Sequence, residues 1–145
     1  MAGKKELLQA LIRGIRRDLA DYARLQELLT AQRQLMLGRD NDGLVEHNRV
    51  QDQLVAQLAQ SASQRSQLLQ RIGVTADAAG VEKLLKAMPA SVAGQVQTMW
   101  QRLMALGAEC QAANEQNGRL LVRQQELIRD LLQQSPSSQT SSLGY

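Results

Sequence analysis

Phenylalanine is absent from this sequence of 145 residues, and Trp100, Tyr22 and Tyr145 are its only aromatic side chains. A compact globule of such length draws much of its buried area from aromatic rings. Here that area has to come from Leu, Val, Ile, Met and Ala with Gln and Arg between them, a balance that suits long helices meeting along narrow seams. Cysteine is nearly as scarce. Cys110 stands alone, so no disulfide can form within the chain and a reducing compartment is expected; on an apolar helix seam it fills space rather than reacts. His47 is the sole histidine, with no thiol near it in sequence, and reads as a seam or surface residue rather than a metal ligand. No apolar stretch reaches membrane-spanning length, and Lys4 and Lys5 are followed by Arg13, Arg16 and Arg17 instead of the apolar core of a secretion signal.

Catalysis needs a nucleophile with its base, a carboxylate pair in a cleft, or a metal cluster. Asp18 and Asp21 come nearest to a pair, and beside Arg17 and Arg24 they read as surface ion pairs. No catalytic residue, cofactor or metal is expected, and the chain reads as a soluble, cytoplasmic binding protein. A large charge excess is missing too: 17 basic residues face 14 acidic ones, for a net +3, and the signs are interspersed. A nucleic-acid binder gathers its cations on one face, with aromatics for stacking. The basic run from Lys4 to Arg17 is followed at once by Asp18 and Asp21, so it reads as a solvated helix face. Neither nucleic acid nor membrane insertion is expected.

What the sequence has is helical periodicity. Leu8, Ile12, Ile15, Leu19 and Tyr22, then Leu25, Leu29 and Met36, predict a helix from about Lys4 to Leu37, weakened by roughly 1 kcal/mol at Gly14. Gly38 to Gly43 breaks the pattern. Read as a calcium loop, that run would place Gly38 and Arg49 where key oxygens belong, so it is a turn. A second helix follows from about Asp42 to Ile72, its stripe interrupted by Ser61 and Arg65. Residues 77 to 88 predict a short helix capped by Asp77 and closed by Pro89.

The last helix carries the strongest signal. With Ser91 as N-cap, Val92, Val96, Met99, Leu103, Leu106, Cys110, Ala113, Asn117, Leu120, Gln124, Leu127 and Leu131 step by four and three, a heptad seam for packing on another long helix. Short loops favour antiparallel neighbours. The expected fold is all-α: a long antiparallel helical hairpin and coiled-coil bundle of three long helices plus one short helix. Residues 1–134 form the single helical domain, and residues 135–145 a flexible Ser- and Gln-rich tail.

Towards its end the last helix turns apolar on a second face. Leu121, Ile128 and Leu132 form a row rotated by roughly 100° from the seam, and Val122 lies further round. Two coverings satisfy such a row, a neighbouring helix of the same chain or a partner protein. Asn114, Asn117 and Gly118 precede it. Asn117 sits at a seam position, where a polar side chain sets register at a cost in stability, and Gly118 lets another helix approach closely. With Gln125, these residues make the candidate partner-binding set.

The run Asn114-Glu115-Gln116-Asn117-Gly118-Arg119-Leu120-Leu121 resembles the signature of FlgN-type flagellar export chaperones. Leu37-Gly38-Arg39-Asp40 through Leu44 is similar to that family's break between its first two helices, and the ending Leu143-Gly144-Tyr145 is like the family's end. The resemblance implies a cytoplasmic chaperone of flagellar type III secretion. It would bind the C-terminal segments of hook-filament junction proteins, prevent their premature assembly and deliver them to the export gate. It also implies client binding on the C-terminal helix and gate docking by Tyr145. The competing expectation is a structural coiled-coil protein that self-associates, for instance as a homodimer, through the same C-terminal helix.

Overall fold

The computed structural model describes residues 3–134, which form four helices: α1 (Lys4–Leu37), α2 (Asn41–Ile72), α3 (Ala78–Lys86) and α4 (Ala90–Gln134). The fold is all-α, with three long helices and one short one. The punctuation is chemical. After Gly38, Arg39 takes a left-handed conformation at φ 54°, and the Asp40 carboxylate caps α2 by accepting from the Gly43 N–H at 2.9 Å. Gly73, at φ 109°, closes α2, while the Val74 N–H reaches back to the Leu69 carbonyl in a Schellman-type stop. Asp77 caps α3 through the Gly80 N–H at 2.8 Å, and Gly80 passes so close to the Thr75 carbonyl that a Cβ there would collide with it.

Pairing distances give the topology. Asp18 meets Ser61, Leu28 meets His47 and Gln32 meets Asn48, so α1 and α2 form an antiparallel hairpin. On α4, Cys110 reaches Tyr22, Asn117 reaches Leu29 and Gln124 reaches Met36, a constant sequence offset of 88. A constant offset means that α4 runs parallel to α1, both helices stepping by seven. Ile15 and Leu103, each 1% exposed, stand at the same offset. The short α3 with its loops makes the return that allows this. The central helix is α1: α2 and α4 lie along it, their backbones hardly meeting each other, and α3 rests on α4.

Two apolar clusters fill the interior. One gathers Leu7, Leu11 and Ile15 with Leu69, Ile72, Val81, Leu84 and Leu103; the other gathers Leu25, Leu28 and Leu29 with Leu54, Leu58 and Cys110. Between them lies a polar layer, and here the structure corrects the surface reading of Asp18. That side chain is 2% exposed and accepts from Ser61 Oγ at 2.6 Å and from Arg65 at 2.7 Å. The Arg65 guanidinium in turn lies 5.6 Å over the Trp100 ring. Ser61 and Arg65 therefore interrupt the apolar stripe of α2 because they face a buried carboxylate. Ser91 is a second correction. It lies inside α4, whose first turn is held by the Pro89 carbonyl accepting from Val92 and Ala93.

Candidate functional site

The seam between α1 and α4 changes character along its length. Leu103 and Leu106 are buried apolar positions, but at the next three steps of seven from Leu103 the side chains of Cys110, Asn117 and Gln124 can all donate hydrogen bonds. Each donates to a backbone carbonyl of α1: Cys110 Sγ to Tyr22 at 3.6 Å, Asn117 Nδ2 to Leu29 at 3.0 Å and Gln124 Nε2 to Met36 at 3.1 Å. Burial, and then the neighbouring Glu109 charge, push the Cys110 thiol up from its ordinary pKa, which keeps it protonated and a donor at neutral pH. Asn117 is 5% exposed and also donates to Gln32 Oε1, whose amide passes on to Asn48 of α2. Its side chain is taken up inside the molecule, which leaves it a register-setting residue and removes it from the outward-facing set.

Gln124 pairs with the last turn of α1, which ends at Leu37. The rest of α4 runs on past that end by about 15 Å, at roughly 1.5 Å per residue. Leu127, expected to continue the seam, is 50% exposed because the helix it would pack against has stopped. Ile128 turns instead towards the α1–α2 turn. There Met36, Arg39, Asn41 and Leu44 form a small basin with Leu121, Gln124, Gln125 and Ile128.

Of the remaining candidate residues, Asn114, Gly118 and Gln125 lie exposed on the outer side of α4. Leu121 is 46%, Val122 50% and Leu132 41% exposed, and Ile128 is half-buried at the basin's edge. The fold thus brings Asn114, Gly118, Leu121, Gln125, Ile128 and Leu132 onto one strip and sets Val122 on its outer flank, beside a shallow depression lined by Arg33, Arg119 and Arg123. Met36 and Leu44, which complete the basin from other elements, show no signal for this role in the sequence beyond their place on helical stripes. Tyr145 and the tail from 135 to 145 lie outside the described residues.

Among the described residues no group of three His, Cys, Asp or Glu side chains could hold a metal ion, and no helix is long and apolar enough to cross a membrane. The arrangement offers apolar area next to amide groups on a rigid helix, which suits a protein segment. A family model with the description FlgN protein matches residues 1–145. No curated protein and no solved structure matches the chain.

Proposed function

The chain belongs to the FlgN family of flagellar export chaperones, and we propose that its clients are hook-filament junction proteins, held by their C-terminal segments along the outer strip of α4. The observation that carries this reading is the exposure of Leu121, Val122 and Leu132 on the side of α4 turned away from its seam with α1, Leu132 lying beyond the end of α1. An amphipathic client helix laid on the strip would seat its apolar side chains against Leu121, Ile128 and Leu132, with Met36 and Leu44 as floor. Asn114 and Gln125 supply amide hydrogen bonds at its margin, and Gly118 lets the client backbone come close. Covering the client in this way hides the surface it needs for polymerising.

Magnitudes suit a carrier that has to let go. About half of each of Leu121, Val122, Ile128 and Leu132 is still exposed, so covering them is worth roughly 3 to 6 kcal/mol gross. Association costs about 4 to 15 kcal/mol. The strip alone thus gives a weak, reversible contact to which the rest of the client adds area, and the client is released in the cytoplasm when it is passed to the export gate. We assign that delivery to residues 135–145, with Tyr145 as the gate-docking residue.

The test is a titration of the chain against the purified C-terminal segment of a hook-filament junction protein. Leu121→Asp with Ile128→Asp should abolish binding and keep wild-type helicity; an unchanged affinity overturns the reading. Removal of residues 135–145 should spare that binding and impair export. Light scattering over a range of concentrations separates the reading from self-association, because a structural oligomer keeps its mass on dilution.

A further inference from the structure

The basic run of α1 is not used by the strip on α4, and the structure withdraws one of the two acids that follow it, while the other, Asp21, lies outside the cleft that the run lines. Asp18 is turned inward and matched by Ser61 and Arg65. Arg13 and Arg17 on α1 and Arg71 on α2 then line a cleft of about 560 Å³ between the two helices, with Gly14, Gln67 and Leu68. Among the described residues none of these three arginines forms an ion pair. Asp18 is the cleft's only acid, and its charge is already spent on Arg65. Arg17 donates to Ser61 Oγ at 3.3 Å, which ties one wall to the buried layer.

We propose that this cleft is a second docking site, which takes an acidic protein segment: two or three carboxylates flanking an apolar side chain. Guanidinium groups fit carboxylates with paired N–H bonds. The half-buried Leu68 and buried Leu11 give the apolar residue a floor, and Gln67 offers an amide to the segment's backbone. Gly14 supplies an independent observation. A Cβ at that position would meet nothing within 4 Å, so the fold itself does not require glycine there. Alanine would favour the helix by roughly 1 kcal/mol. A bare backbone on the cleft wall is what close approach by a second chain requires. Nucleic acid fits less well. The cleft has no aromatic side chain on which bases could stack. The site lies roughly 30 Å along α1 from Met36, at about 1.5 Å per residue, so it can be filled while the strip on α4 is occupied.

The experiment titrates the full chain, by fluorescence anisotropy at low salt, into a dye-labelled peptide of Glu interspersed with Leu and Ala. Its Gln-for-Glu twin and a single-stranded oligonucleotide serve as further probes. The acidic peptide should bind, and Arg13→Gln with Arg71→Gln should weaken it by about tenfold. Gly14→Leu fills the cleft wall without altering charge and should weaken it comparably, whereas Arg24→Gln, an exposed change outside the cleft, should leave it alone. The variant with Leu121→Asp and Ile128→Asp should bind the acidic peptide as wild type does, which separates this site from the client strip. Equal affinity for the Gln twin, tighter binding of the oligonucleotide, retention of full affinity by the cleft variants, or no binding at all would each overturn the proposal.

Discussion

Replacing Asp18 with Ala tests whether the middle of the bundle rests on a buried ion pair. The Asp18 side chain is 2% exposed, and its two short hydrogen bonds come from Ser61 and Arg65. Without it, the Arg65 side chain, itself only 16% exposed, keeps the Trp100 face and partial access to water as its remaining partners. Breaking such a pair from one side costs about 3 to 5 kcal/mol when both charges are buried. Because Arg65 keeps some contact with solvent, the expected loss is about 3 kcal/mol, a large share of the roughly 5 to 15 kcal/mol that holds a domain together. At about 2 to 4 °C per kcal/mol, the melting temperature should fall by roughly 6 to 12 °C. Equilibrium urea unfolding followed by circular dichroism reads this directly. The double change Asp18→Leu with Arg65→Met removes both charges together and should recover most or all of the loss. A cost below about 1 kcal/mol for Asp18→Ala, the range of an exposed pair, would refute the buried layer and return Asp18 to the surface.

Two further outcomes follow from the same geometry. Asn117→Ala leaves Gln32 Oε1 without its donor and should cost about 1 to 3 kcal/mol in urea unfolding, with the affinity for a client segment unchanged; a loss of affinity at unchanged stability would make Asn117 a client contact after all. Asp77 is held below the usual carboxylate range by the Thr75 hydroxyl and then by the Gly80 N–H. Its folded pKa is therefore lower than its unfolded one, so its capping of α3 is fully present above the unfolded value of about 3.9 and is lost as pH falls through the folded value. Amide exchange of α3 should accelerate over that acid range in the wild type, and Asp77→Asn should abolish the acceleration.

Helix bounds were legible because the stops are local chemistry. Gly38, Asp40, Gly73 and Asp77 satisfy backbone groups within a few residues of themselves, and the structure places α1, α2 and α3 within a residue or two of the limits that their spacing predicts. Ser91 misled because Pro89, two residues earlier, already supplies the first accepting carbonyl of α4. Asp18 misled for a different reason: Arg17 and Arg24 are its neighbours in sequence, whereas its partners lie 43 and 47 residues away. The outward row of Leu121 and Leu132 was visible as a change in periodicity. What sequence could not give was its surroundings. A heptad pattern reports that a helix has a partner but not where the partner stops, so Leu127 reads as seam although α1 has ended. The parallel run of α1 with α4 was hidden too, since short connections say nothing of which earlier helix the chain returns to.

The polar residues on the α1–α4 seam decide how much client surface exists. An apolar seam of leucines would bind more tightly, but a slip of one heptad would cost it little, since every hole looks alike. Cys110, Asn117 and Gln124 make the slip expensive, because each must find a carbonyl of α1 and the offset of 88 satisfies all three at once. Sliding α4 seven residues one way would draw Leu131 down to Met36 and cover the seam positions Leu127 and Leu131 with α1; sliding it the other way would put Leu121 in the place of Ile128 and carry Ile128 beyond the α1–α2 turn. The observed register stops between these. It leaves Leu121, Val122, Leu127 and Leu132 exposed while Ile128 still rests on the α1–α2 turn. Hydrogen bonds that weaken the seam energetically therefore set the area on offer to a client, and through it the affinity at which that client is held and released.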